Sequence, residues 1–443
     1  MSSTLSWSSN DRDQALRKAM LNGVVIRLLT IPLGFVTTAL ATRDLGPVRF
    51  GVFAAVLSAM TILLVSDFGT GRAMANRLAS EHGRDDIAAM RTTIAAATLT
   101  TTAMGIGIGA IAFASTLWVN WAVVLGAPQL SRAEVNAVVY VVALCLAFGL
   151  PLSRGTGVLS GMQREATAQR WLLWVALGVF SGIVACFLTH APLWCFVAAS
   201  LGVPVAVNAV QFFWVMNRTF PELKPKLSEA TWECARDLFK SGPAYAALQL
   251  SSLAISADIV IVGHQVGAHG AAILSISTSL FAPVLTSLVI ASNQLWPAMS
   301  EAVARGDHDW VVSRLRKVVL GTLVVTVASC GAVVLIARPV SRLFFGADFV
   351  PPWSVLLFAA PWVVYSVVIF QVGGMLAAMG RASKQAAISM VALLVNVAVV
   401  WLTTDIMGAP GAYLGSVITY AVIVGIPSVI MVRSALKELS AKR

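Results

Sequence analysis

Two ionisable side chains, Arg27 and Asp258, sit inside otherwise apolar runs of this 443-residue chain. A charge in the core of a bilayer is costly, so such a group faces a cavity, a partner or a substrate. Arg27 shares one helical face with Thr30, Gly34, Thr37, Thr38 and Ala41, at i, i+3, i+7, i+10, i+11 and i+14. That stripe is small and polar, suited to a watery lumen or a close helix contact. A guanidinium there can grip an anionic phosphate through its planar fork of donors. Lying about 9 Å from the nearer membrane edge by helical rise, it can equally snorkel to the headgroups. Asp258 shares a face with Ser251 and Gln265. A buried carboxylate can carry a proton, bind a sodium ion or pair with an arginine.

A second polar stripe joins Ser275, Ser279, Thr286 and Asn293. Such hydroxyl stripes line cavities or serve as glue between helices. Asp67, Arg72 and Arg154 stand at the ends of apolar segments. There they anchor at the interface or capture an anionic headgroup entering from the inner leaflet.

The elements that position these groups follow from composition. The chain is 58% hydrophobic and 12% charged, against about half and a quarter in a soluble domain. That excludes disorder and disulfide scaffolds. Twelve apolar segments are long enough to span a bilayer: about 20–41, 50–68, 92–114, 135–154, 171–189, 193–216, 243–263, 271–297, 318–337, 353–377, 386–404 and 412–432. Period-two alternation is missing, so these are helices rather than barrel strands.

Of the 31 Lys and Arg residues, 25 fall on one side of this layout, five on the other and Arg27 within a span. The positive-inside rule then puts both termini in the cytosol. The net charge of +11 is therefore mainly topological. Basic residues spread over short loops form no nucleic-acid patch. The five cysteines show no C-x-x-C spacing, and His264 and His269 share a loop without a third ligand, so no metal site is expected. Asp67-Phe68-Gly69 spells the kinase metal triplet but lacks its companions, and no Walker motif or Ser/His/Asp grouping occurs. An enzyme and a bound cofactor are not expected.

The two halves echo one another. Leu45-Gly46 matches Val266-Gly267, and Ser80-Glu81 matches Ser300-Glu301. Leu159, Met162 and Arg164 match Leu376, Met379 and Arg381, and Pro204 matches Pro427. The offsets all fall between 217 and 223, as a parallel duplication requires. The expected architecture is an all-α integral membrane protein with about 12 transmembrane helices in two parallel six-helix repeats around a central cavity. The corresponding units are a cytosolic segment 1–19, an N-lobe 20–216, a linker 217–242, a C-lobe 243–432 and a tail 433–443. Within the linker the pattern predicts a surface amphipathic helix over Leu227–Lys240.

Several short motifs now carry a resemblance. Leu45-Gly46-Pro47-x-x-Phe50-Gly51-x-Phe53, followed by Asp67-Phe68-Gly69, resembles the N-terminal signature of the polysaccharide-export proteins. Gly408-Ala409-Pro410-Gly411-Ala412-x-x-Gly415-x-x-x-Thr419-Tyr420 is similar to that family's turn before the last helix. These are the lipid-linked oligosaccharide flippases of the multidrug/oligosaccharidyl-lipid/polysaccharide exporter superfamily. The resemblance implies movement of an undecaprenyl-diphosphate-linked oligosaccharide between leaflets of a bacterial inner membrane by alternating access. Its polymerase and glycosyltransferases would be partners, with H+ or Na+ coupling as an option. A cation-coupled multidrug exporter of the same superfamily remains open, because Asp258 suits it equally. A membrane-embedded polymerase or ligase is disfavoured by outer loops of at most about 20 residues.

Overall fold

In lipid a backbone must satisfy its own hydrogen bonds, and among the described residues this chain does so in helices without any strand. The computed structural model describes residues 9–65, 69–82, 84–162, 164–239, 254–293, 308–379 and 381–441. The first half contains α1 (Ser9–Val65), α2 (Thr70–His82), α3 (Ile87–Trp118), α4 (Trp121–Val124), α5 (Arg132–Leu152), α6 (Arg154–Gly161), α7 (Glu165–Leu188), α8 (Leu193–Val197) and α9 (Val203–Trp214). A short helix α10 covers 232–239. The second half contains α11 (Ala254–Gln265), α12 (Ala268–Asn293), α13 (His308–Phe344), α14 (Trp353–Ala378), α15 (Ala382–Met407), α16 (Ala409–Tyr420) and α17 (Ile426–Ala441). Among the described residues, nine helical stretches are long and apolar enough to cross a membrane. Their outer faces expose Ile111, Leu188, Leu335 and Ile406, which lipid accepts and water does not.

Helix α1 is two helical arms joined at a kink. Its 57 residues leave helical geometry at Gly46, with φ 67 and ψ 177. Glycine takes that left-handed turn without a Cβ clash, and Pro47 starts the second arm where a missing N–H costs nothing. Pro32 lies within the first arm, which keeps helical dihedrals throughout.

The duplication is written in the backbone. Of the five positive-φ residues described in the first half, three recur in the second: Gly46 (67), Gly126 (69) and His190 (49). Their mates, 221, 220 and 218 residues on, are Gly267 (96), Gly346 (103) and Gly408 (69). At the opposite ends the Arg164 N–H donates to the Leu159 carbonyl at 2.7 Å, and the Arg381 N–H to the Leu376 carbonyl at 2.8 Å. The last span of each half widens into a π segment, Ala198–Gly202 and Ala421–Gly425. Each π segment runs into Gly-x-Pro, at Gly202-Val203-Pro204 and Gly425-Ile426-Pro427. A proline removes one rung of the helical ladder, and local π geometry accommodates the gap.

Within the first half α3 packs tightly on α5. A Cβ at Gly105 would come 2.8 Å from the carbonyls of Leu146 and Ala147, and one at Gly109 would come 2.6 Å from that of Ala143. Gly105 and Gly109 are packing glycines, whereas nothing lies within 4 Å of a Cβ at Gly107 on the same span.

The linker differs from its expected form. Leu227–Glu229 is a single 3-10 turn, and α10 begins after it. Cys234, Ala235 and Leu238 are buried among Met74, Leu78, Met90 and Ile94 of the first half. Arg77 holds Glu81 at 2.8 Å and Asp237 at 3.7 Å, and Arg91 Nε donates to the Glu222 carbonyl. One face of the linker thus packs into a protein cluster, while Trp232 of the same segment stays exposed. Burial pushes the Cys234 thiol up, away from thiolate reactivity.

Candidate functional site

Asp258, on α11, is completely buried. The Ser416 hydroxyl of α16 donates to its Oδ2 at 2.6 Å. Asn396 Nδ2 of α15 donates to its Oδ1 at 3.1 Å. One carboxylate thereby joins three helices. Beside it, Thr278 of α12 and the Tyr413 hydroxyl of α16 share a hydrogen bond of 3.0 Å. The Tyr365 hydroxyl of α14 donates to the Tyr420 carbonyl. Among the described residues no Lys, Arg or His forms a salt bridge with Asp258. Asn396 Oδ1 and Thr419 Oγ1 are buried without a hydrogen-bond partner among the described residues. A buried carboxylate of this kind needs a proton or a small cation to neutralise it. The surrounding oxygens are the hard donors that a hard cation prefers.

The second feature is a seam where the two halves meet. Close backbone approach is possible there because side chains are missing. A Cβ at Gly51 would overlap the Ala268 carbonyl, and one at Gly126 would overlap that of Gly263. The Ala268 N–H donates to the Gly126 carbonyl at 3.0 Å. Arg43 donates to the carbonyls of Leu343 at 2.7 Å and Phe344 at 3.1 Å. Phe35 packs on Phe344 and Phe345, and Phe50 on Phe349. The two halves are therefore sealed together on the face that carries the glycine turns.

A duplicated helical bundle with a glycine seam and a buried carboxylate narrows the choice of families. The family described as polysaccharide biosynthesis protein matches residues 16–303. The chain belongs to this family. In fold it is also similar to a MATE-family multidrug resistance transporter of the MOP superfamily in an inward-facing conformation. That protein is 14% identical, with a TM-score of 0.74, over 95% of this chain and 99% of the other. A MATE transporter in complex with MaL6 gives 14% identity and a TM-score of 0.65, over 96% and 97%. A MOP superfamily transporter from Pyrococcus furiosus, described by a binding pocket of reverse polarity, gives 15% and 0.62, over 95% and 94%. Such identities speak to the fold alone. A comparison with curated proteins returns no match. The chain is a multi-pass membrane protein of the polysaccharide biosynthesis family, with the fold of MOP-superfamily transporters.

In this member of the polysaccharide biosynthesis family, the predicted residues are dispersed. Thr37 donates to the Leu33 carbonyl at 2.6 Å and Thr38 to that of Gly34 at 2.9 Å. Thr30 lies half-buried on the same arm. Half-buried Ser279 donates to the Ser275 carbonyl at 3.0 Å. Each of these three bonds stays within its own helix and leaves a lone pair to accept from a ligand. Asp67 and the side chains of Arg27, Arg72, Thr286 and Asn293 lie outside the described residues.

Arg154 is 3% exposed, at the break between α5 and α6. It donates to the Leu150 carbonyl at 3.3 Å, to Ser153 Oγ at 3.1 Å and to Thr70 Oγ1 at 3.5 Å. It ties α2 to that break and is not presented at the membrane edge. Sequence reasoning missed Asn396, Ser416 and Tyr413. The one available signal was Asn396, the single amide in its span.

Proposed function

We propose that this transporter moves an undecaprenyl-diphosphate-linked oligosaccharide from the cytosolic to the outer leaflet of a bacterial cytoplasmic membrane, for polysaccharide synthesis. Membership of the polysaccharide biosynthesis family supports the substrate class. The observation that carries the alternating mechanism is the seam at Gly51, Gly126 and Ala268. Two duplicated halves held by backbone contacts on one face can rock apart there as rigid bodies. With both termini cytosolic, that face is the outer one and the seam is the outer gate.

Arg27 is the anchor for the diphosphate, and Asp67 and Arg72 flank its entrance with Arg154 as their support. The hydroxyls of Thr30, Thr37, Ser279 and Thr286 and the amide of Asn293 meet the sugar. With the inside negative, two uncompensated charges moving outward gain about 4–5 kcal/mol per 100 mV. Asp258 takes up a proton or sodium ion and resets the empty carrier.

Depletion of the protein tests this reading. Lipid-linked oligosaccharide should accumulate on the cytosolic leaflet, and an unchanged pool would refute it. A cation-coupled multidrug exporter is the second reading, favoured by the buried Asp258. Deletion that raises drug sensitivity while leaving glycans intact would establish it instead.

A further inference from the structure

Between α14 and α17 lies a cavity of about 450 Å³ that the transport reading does not use. Its walls are mostly aliphatic and include Val368, Ile369 and Val429. Three polar residues interrupt that lining, and one of them, Tyr365, spends its hydroxyl on the Tyr420 carbonyl. Ser428 is a wall residue, and its buried hydroxyl has no hydrogen-bond partner among the described residues. Exposed Arg433 is the last α17 residue on the wall. Arg381 brings a second cation to the same stretch of α17, donating to the Met431 carbonyl at 3.1 Å and to Ser434 Oγ at 3.5 Å.

The dimensions match one leaflet. From Ala421 to Arg433 the last span rises about 18 Å, close to half of the roughly 30 Å hydrocarbon core plus some headgroup depth. A water-sized group takes about 30 Å³. A methylene is of similar size, so the cavity holds on the order of fifteen, or one acyl chain. An aliphatic trough one leaflet deep, ending at cations at headgroup level, complements a negatively charged lipid.

We propose that this trough binds an anionic phospholipid. One acyl chain lies along Val368, Ile369 and Val429, and the phosphodiester sits at Arg433. The π segment Ala421–Gly425 also borders the trough through Ala421 and Gly425. A bound lipid therefore braces the widened turn of the last span.

The test is native mass spectrometry of the full-length protein with dioleoyl phosphatidylglycerol or dioleoyl phosphatidylcholine at matched ratios. Phosphatidylglycerol should be retained preferentially. Arg433→Gln should weaken its retention roughly fivefold, the effect of one cation near an anionic headgroup. Val429 is half exposed, so Val429→Trp should be tolerated while filling the trough and displacing the lipid. Equal retention of the two phospholipids, or retention unchanged in both variants, overturns the proposal. Displacement by equimolar polyprenyl phosphate also overturns it, by making the trough a substrate groove. None of these outcomes depends on the flipping assay above.

Discussion

Thr37 and Asp258 occupy equivalent places in the two halves, 221 residues apart, yet they make opposite demands on their surroundings. Thr37 turns its hydroxyl onto the Leu33 carbonyl of its own helix. Asp258 reaches α15 and α16. A threonine that bonds back to residue i−4 needs nothing from its neighbours. A buried carboxylate needs satisfied oxygens and a compensating charge. The duplication has therefore kept turns and helix ends, which set the backbone path. Inward side chains have diverged, and among the described residues the ionisable centre sits in the second half.

The largest effect should come from breaking that centre. Asp258→Leu strands the Asn396 amide and Ser416 hydroxyl and should cost about 2–5 kcal/mol of stability, read as a fall in thermal unfolding temperature in detergent. Asp258→Asn should fold within about 1 kcal/mol of the parent, yet lose any dependence of transport on sodium or pH. If that dependence survives, the contrast between the halves is not functional.

Next in size is the seam. Gly51→Val or Gly126→Val forces a side chain into a backbone carbonyl, and overpacking of this kind costs about 1–3 kcal/mol. The halves should part, and a thiol placed by Thr38→Cys in a cysteine-free background should label roughly tenfold or more faster from the outside. Gly34→Ala should leave labelling unchanged, because nothing lies within 4 Å of a Cβ there. Ser416→Ala follows, at about 1–2 kcal/mol. The smallest effect belongs to Thr37→Val, within about 0.5 kcal/mol. A loss from Thr37→Val as large as that from Ser416→Ala would show a partner beyond α1 and erase the contrast.

Much of the scaffold was legible in the sequence because it is set locally. Length, hydropathy and the glycine turns at Gly46 and Gly267 are properties of neighbouring residues. The carboxylate at Asp258 was legible for the same reason, since any charge inside a span stands out. Its partners were not, because Asn396 and Ser416 lie 138 and 158 residues away. The partners of Arg154 were not legible either, because position along a helix gives depth in the membrane but not the direction of the side chain. The seam escaped too. Nothing in the sequence marks Gly51 and Gly126 as contact glycines until Ala268 and Gly263 are laid against them. The cluster that covers Cys234, Ala235 and Leu238 was not legible, since periodicity says which residues seek burial and not what covers them.

The docked linker also sets an order of assembly. Every partner of Cys234, Ala235 and Leu238 in their buried cluster precedes them in the chain. By the time residue 239 leaves the ribosome, those partners have been made, at about 5–20 residues per second. The first half can then fasten its own end before any of the second has been translated. What reads in the finished protein as a connector is, during biogenesis, the stitch that closes one half and frees the insertion machinery for its twin.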